Sequence, residues 1–475
     1  MLQTGRWALL LLALGLLAAS PAAGRALLDP SFGQAGRTMI PPAASEGFVE
    51  AGLMRDDGLA FATDRSLGRL GPDGRLDLSF GQGGIVVPPV PPGGEFEIAG
   101  LAVDSQDRLI VAGTALPPAG DPFDPFLFGP GFETGPKKAR VARYLPSGVP
   151  DPTFGDGGVV ETDLGLPAPL KEDGTQIVPS PWVEVTGVAV DSQDRVLLTG
   201  GASAGLRGNC AHDWYWDTLT YAAFVARLTA AGALDPTYGE GGVFGGRNVA
   251  EYRLRNEASD DPEPGPRDEV TYGTGVLHCP RAGGAGGLSR LDADGNPAIG
   301  FGDRGAVRMG SDDMVALPGG GVANIGFESP WYYTREAATV EVARLTPNGR
   351  PDRGFGTRGK AVVVTPGGAG GQLASIAADG RGRLLLAGTM TAVKAGRGHR
   401  EKPRRQRLFV LMRVTAGGRL DRAFGPGGRV AARFGSRNAS GSQVLLDSQG
   451  RAVVIGTYGR YGHEGVAVAR YAINR

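Results

Sequence analysis

The phrase LDPSFGQAG at Leu28–Gly36 returns along the whole chain. Close copies stand at Leu76–Gly84 (LDLSFGQGG), Pro150–Gly158 (PDPTFGDGG) and Leu234–Gly242 (LDPTYGEGG). Looser ones stand at Ala298–Gly305 (AIGFGDRG), Pro351–Gly359 (PDRGFGTRG) and Leu420–Gly428 (LDRAFGPGG), which makes seven. A turn repeated at long intervals constrains the fold more than any local motif does, because each copy marks one unit of an array. Asp and Pro favour a tight turn, and the Gly after the aromatic permits backbone angles or close approaches that a Cβ forbids.

Two other phrases recur between these copies. GLAVDSQDRLIVAG (Gly100–Gly113), GVAVDSQDRVLLTG (Gly187–Gly200), SIAADGRGRLLLAG (Ser375–Gly388) and QVLLDSQGRAVVIG (Gln443–Gly456) each place two apolar strands around an Asp-led polar turn. That is a hairpin signal. A third strand follows, as in ARVARYLPSG and VEVARLTPNG, and a short fourth one, such as GIVVP, comes after the aromatic-Gly phrase. Units of four short antiparallel strands predict an all-β, seven-bladed β-propeller. The Gly-, Ala- and Val-rich first strand suits a crowded axis. The composition agrees: 80 Gly and 35 Pro without a collagen period imply many turns, and 41% hydrophobic content supplies a core.

The ends of the chain are out of phase with the repeat. The last unit stops after its third strand, Val466–Tyr471, while the chain opens on an aromatic-Gly phrase and a short strand. Residues 28–40 are therefore expected to complete the last blade, which removes two open sheet edges. The aromatics Phe32, Phe80, Phe154, Tyr238, Phe301, Phe355 and Phe424 are expected to pack between blades. Between Phe244 and Leu288 no DxxGR hairpin is legible, so 244–288 reads as a degenerate blade. The phrases resemble the delta-60 repeat family over about Ala26–Arg475. The resemblance implies a β-propeller-like fold and brings no catalytic residues with it.

Residues 1–24 have the form of a signal peptide: Arg6, an apolar run at Ala8–Ala19, and small residues at Ser20, Ala22 and Gly24. The expected location is secreted or periplasmic. No other stretch is long and apolar enough to span a membrane. Lys+Arg and Asp+Glu are equal at 49 each, so no long-range field favours nucleic acid.

Loop parity sorts the variation. With strands lettered A to D outward from the axis, A–B and C–D turns share one end of the propeller, and B–C and D–A connections share the other. Every long insertion falls in the second class: Leu116–Lys138, Ala202–Tyr221, Glu328–Ala338 and Thr389–Arg407 between B and C, and Thr162–Val183 and roughly 246–266 between D and A. These insertions hold Trp182, Trp214, Tyr215, Trp216, Trp331 and Tyr332, the candidate ligand-binding residues, with a glycan or protein as the expected partner. Loop packing is the competing role for these rings. Lys394–Arg407 is strongly basic, which fits a solvated loop or a site for an acidic polysaccharide or lipid head group. Cys210 and Cys279 are expected to form a disulfide in an exported chain. A zinc reading through Cys210, His212, His278 and Cys279 is weaker, because adjacent His278 and Cys279 point to opposite sides of an extended chain.

Other signals are discounted. GASAG (Gly201–Gly205) lacks the strand-to-helix setting of a nucleophile elbow. GPGFETG (Gly129–Gly135) lacks the helix of a dinucleotide fold. Asp104/Asp107, Asp191/Asp194 and Asp292/Asp294 suggest Ca²⁺ only weakly, since hairpin turns explain them. No cofactor is implied, and a monomer is expected. The sequence thus favours a non-catalytic binding scaffold. The alternative is a propeller enzyme, a polysaccharide lyase, glycosidase or quinone-dependent dehydrogenase, with carboxylates such as Asp213, Asp217, Glu251 or Asp268 converging on the insertion-bearing end.

Overall fold

A computed structural model describes residues 27–41, 47–90, 94–116, 137–168, 181–207, 218–245, 262–274, 287–309, 311–326, 339–364, 371–394, 404–460 and 463–473. They form seven four-stranded antiparallel sheets. The inner strands are Phe48–Leu53, Glu95–Val103, Val183–Val190, Glu263–Pro264, Asp313–Ala316, Gln372–Ala378 and Ala439–Leu446. Each neighbours the inner strand of the next blade, and the last neighbours the first, so the sheets close into a ring around an axis. The protein is a seven-bladed β-propeller. The only helical turn among the described residues is a 3-10 turn at Pro426–Gly428.

Burial follows from position in the ring. The second strand is buried throughout in Leu59–Thr63 and Leu109–Leu116 because a neighbouring blade covers each face. The outer strand Lys360–Val364 alternates exposed and buried, since only one face is covered. The cores accordingly sit between blades. One joins Phe61 of the first blade to Ile455 and Val468 of the seventh, with Phe32 among them.

The seventh blade is completed from the other end of the chain. Arg37–Ile40 pairs antiparallel with the third strand, in register Arg37↔Ala469 through Ile40↔Val466. Leu28 bridges Tyr471, and the Asp29 N–H donates to the Arg470 carbonyl at 2.9 Å. The ring is closed by hydrogen bonds between chain ends.

The fourth blade departs from the sequence reading. It has a hairpin after all, Glu263–Pro264 with Val270–Thr274, around a turn with Asp268 at φ 59°. Its inner strand is two residues long, and Glu269 stands where the repeat has Arg. The pattern was therefore hidden while the geometry persisted.

Removing residues 1–40 should lower the unfolding midpoint by about 10 °C or more, since strand pairing and the burial of Phe32 are lost together. Removing residues 1–25 alone should leave the midpoint in place. Equal midpoints for the two truncations, by calorimetry, would show that the closure contributes nothing.

Candidate functional site

All seven A–B turns and all seven C–D phrases lie among the described residues, so the end of the propeller that carries them can be read in full. Its chemistry is dominated by an arginine on each third strand. Arg143 donates from Nε to Asp151 Oδ2 at 2.8 Å and from Nη2 to Thr153 Oγ1 at 3.0 Å. Its Nη1 crosses to the next blade and donates to the Ala230 carbonyl. Its guanidinium lies 4.5 Å from the centre of the Phe154 ring, and the Gly155 N–H donates to Ala231 of the next blade at 2.9 Å. One phrase thus supplies a carboxylate, a ring and an amide to a single seam.

The motif repeats around the ring. Arg227 pairs with Asp235 and lies over Tyr238, Arg413 with Asp421 over Phe424, and Arg344 with Asp352 over Phe355. At the closure Arg470 pairs with Asp29, lies over Phe32 and donates to the Pro72 carbonyl at 2.6 Å. Arg69 is the looser member, 3.4 Å from Asp77, and donates to Pro146. The rings are buried, with Phe80, Phe154, Tyr238 and Phe355 at 0% exposure. Glycine is required opposite them. Gly418 has φ +78°, and a Cβ there would strike the backbone of Gly356 in the preceding blade.

The fourth blade breaks the rule. Ala298 stands where the other phrases have Asp, so Arg290 over Phe301 turns to Thr271 Oγ1 at 2.8 Å and to the Gly320 and Pro347 carbonyls. Burial pulls the Arg290 pKa down, with Glu269 opposing the shift.

The A–B turns form a second ring. Asp104 accepts from the Gln106 and Arg108 N–H groups, and Asp191 holds Arg195 Nε at 2.7 Å. The second Asp of each turn, in the left-handed region, reaches the preceding blade. Asp107 accepts from Arg55 N, Asp194 from Ser105 N and Oγ, and Asp57 from Ser448 N and Oγ. Asp268 accepts from Ser192 N and Gln193 Nε2 and lies 3.6 Å from Arg195. This places Asp268 at the turn end, not among converging carboxylates at the opposite end. In the fifth to seventh blades Gly320, Gly382 and Gly450 hold the same left-handed position. Of the aspartates suggested for Ca²⁺, Asp107 and Asp194 serve as these clasps, Asp104 and Asp191 hold their own turns, and Asp292 accepts from the Asp294 and Asn296 N–H groups. Among the described residues no group of three or more His, Cys, Asp or Glu is placed to hold a metal ion.

A central cavity of about 390 Å³ lies along the inner strands. Glu50, Glu263, Asp312 and Asp313 line it with Thr186, Ser375 and Gln443, and no Lys or Arg does. Several of these groups bridge seams. Glu50 Oε2 accepts from Leu101 N at 2.7 Å, Asp313 Oδ2 from Ile376 N at 2.7 Å, and Gln443 Oε1 from Ala51 N at 2.8 Å. Bulges in the inner strands, as at Phe48/Glu50 and Gly441/Gln443, re-aim these side chains.

Of the residues expected to bind ligand, Trp182 is described, and it is 5% exposed. Trp214, Tyr215, Trp216, Trp331 and Tyr332 lie outside the described residues, as do Cys210, Cys279, His212, His278, Asp213, Asp217 and Glu251. The seam arginine escaped the sequence reading although its signal is plain: Arg69, Arg143, Arg227, Arg344 and Arg413 each stand eight residues before the Asp of an aromatic-Gly phrase.

No protein-family model matches the chain, and no curated protein resembles it significantly. Solved structures resemble it at the level of the propeller. Virginiamycin B lyase from Staphylococcus aureus is 8% identical, with a TM-score of 0.44, over 91% of this chain and 98% of that one. A gluconolactonase from Xanthomonas campestris is 12% identical, with a TM-score of 0.33, over 91% and 97%. Trypanosoma rangeli sialidase is 10% identical, with a TM-score of 0.38, over 92% and 59%. The likeness stops at the ring of blades, which the strand order establishes by itself.

The seam carboxylates set the response to acid. Burial alone would raise the Asp151 pKa, but hydrogen bonds from Thr153 and the charge of Arg143 hold it below the ordinary 3.8. Asp235 and Asp29 are lowered against burial in the same way, by Thr237 with Arg227 and by Ser31 with Arg470. A carboxylate lowered in the folded state adds stability that is fully present above its unfolded pKa and is lost as pH falls through the folded value. Stability should thus be insensitive to these groups above about pH 4 and fall steeply below it. Asp151→Asn should flatten that fall in acid titrations of the unfolding midpoint. An unchanged slope would contradict the assignment.

Proposed function

We propose that the chain is an exported, non-catalytic binding scaffold that takes a glycan or protein at the end bearing the B–C and D–A connections. The observation that carries this reading is the use of the opposite end: its arginines, aspartates and rings are engaged with one another and with neighbouring blades. The insertions, with their aromatic residues, all belong to the other end, where length varies without disturbing the seams. Three further carboxylates at the turn end, Asp57, Asp77 and Asp268, are held below the ordinary carboxylate range by hydrogen bonds from Ser448, Ser79 and Ser192, as suits structural contacts.

The test is a binding screen of the exported chain against polysaccharides and glycans, with soluble product assayed in parallel. Replacing Trp214 and Trp216 by Ala should weaken binding of the ligand found about tenfold or more, at unchanged unfolding midpoint. Replacing Leu78 and Ile299 by Ser, at 69% and 81% exposure on the C–D phrases, should leave binding intact. The reverse pattern would put the ligand at the wrong end. Release of shortened product would replace the scaffold with an enzyme.

A further inference from the structure

The sixth blade carries a cationic ledge that the seam chemistry does not use. Its second and third strands, Leu384–Lys394 and Arg404–Val414, run as a long hairpin, but the outer strand pairs only with Phe409–Met412. The third strand therefore extends past the sheet at Arg404–Leu408, toward the end with the variable connections. Residues 433–438, which lead to the seventh blade, fold against this extension. Gln406 Nε2 donates to the Gly435 and Arg437 carbonyls at 3.0 and 2.8 Å, and Arg407 N donates to Asn438 Oδ1 at 3.0 Å. Arg433 Nη1 donates to Gln406 Oε1 at 2.8 Å, and Arg37 Nη1 donates to the Arg433 carbonyl at 2.9 Å. The Arg437 guanidinium lies 5.3 Å from the centre of the Tyr458 ring.

Arg405, Arg407, Arg433 and Arg437 are exposed, and none makes an ion pair among the described residues. The seam arginines, with Arg290 as the exception, and Arg108, Arg195, Arg383 and Arg451 at the ends of the A–B turns behave otherwise: each faces an aspartate, as Arg143, Arg195 and Arg413 do. Like charges held on adjacent backbone segments repel, so a cluster in a chain of zero net charge carries a local cost. Arg405 and Arg407 alternate along one strand and so project to the same side, about 7 Å apart. Guanidinium forks suit carboxylate and sulfate oxygens in pairs, as the compact point charge of an ammonium does not.

We propose that this ledge binds an anionic polysaccharide through its uronate or sulfate groups. The proposal rests on the reading that the end with the variable connections takes the ligand, and it names the chemical class. Discrete, oriented donors favour a chain with spaced oxyanions over a membrane surface, whose attraction is diffuse and needs an apolar anchor for stable attachment.

Binding of the full exported chain to polygalacturonate, dextran sulfate, neutral dextran and phosphatidylglycerol vesicles, each at low and high salt, tests this. The wild type should bind one or both polyanionic glycans and not neutral dextran, with affinity falling as salt rises. Replacing Arg405, Arg407 and Arg433 by Gln should weaken that binding about tenfold or more and reduce its salt dependence, at unchanged unfolding midpoint. Replacing Arg353, Arg419 and Arg422 by Gln, exposed arginines at the turn end, makes the same net-charge change and should have little effect. Equal losses in the two triple variants would reduce the effect to net charge and overturn the ledge. Binding to vesicles alone would overturn it in favour of a membrane. Failure to bind either polyanion, or polyanion binding lost with Trp214 and Trp216 but kept in the ledge variant, would overturn the ledge and leave the scaffold reading standing.

Discussion

The arginine that crosses each blade seam is the interaction on which the rest depends. A propeller has no single central core, because each blade buries its faces against its two neighbours and the ring closes only if every seam holds. A buried guanidinium is costly unless its donors are met. Here the carboxylate comes from its own blade and the carbonyl from the next, as Arg143 shows with Asp151 and Ala230. The aromatic beneath the cation adds apolar burial and a cation–π contribution of about 0.5–2 kcal/mol. Because the donors of Arg143 and the amide of Gly155 must find particular carbonyls of the adjoining turn, the seam fixes blade register as well as stability.

The turn end and the variable end consequently do different work. At the turn end four successive junctions, from the seventh blade round to the fourth, carry an aspartate clasp at Asp57, Asp107, Asp194 and Asp268. The next three carry Gly320, Gly382 and Gly450 instead. Arg290, without its aspartate, lies at the first of these unclasped junctions. A scaffold locked on one side tolerates long connections on the other, and the basic ledge at Arg405, Arg407 and Arg433 grows from such a connection. Recognition can change there without loosening the ring.

Much of the fold was legible because the repeat is written in residues with local jobs. The aromatic-Gly phrases gave the blade number, and their offset against the third strands gave the closure by residues 28–40. What escaped depends on partners far away in sequence. Asp194 reads as a turn residue, but its acceptors serve Ser105 in the preceding blade. Arg143 reads as a strand residue next to apolar neighbours, although it is 2% exposed at the centre of a seam. The fourth blade's hairpin was hidden because Glu269 replaces Arg, while Asp268 keeps the turn by adopting the left-handed conformation.

The central claim is that one repeated seam makes the blades a single cooperative ring, with the N-terminal phrase as an equal member. Native-state hydrogen exchange at the seam glycines tests it most directly. The amides of Gly33, Gly81, Gly155, Gly239, Gly302 and Gly356 each donate to a carbonyl of the next blade. They should all exchange only through global unfolding, with one shared opening free energy and one denaturant dependence. Independent opening of individual seams at lower free energies, Gly33 first among them, would contradict the account and describe a stack of blades held at its ends.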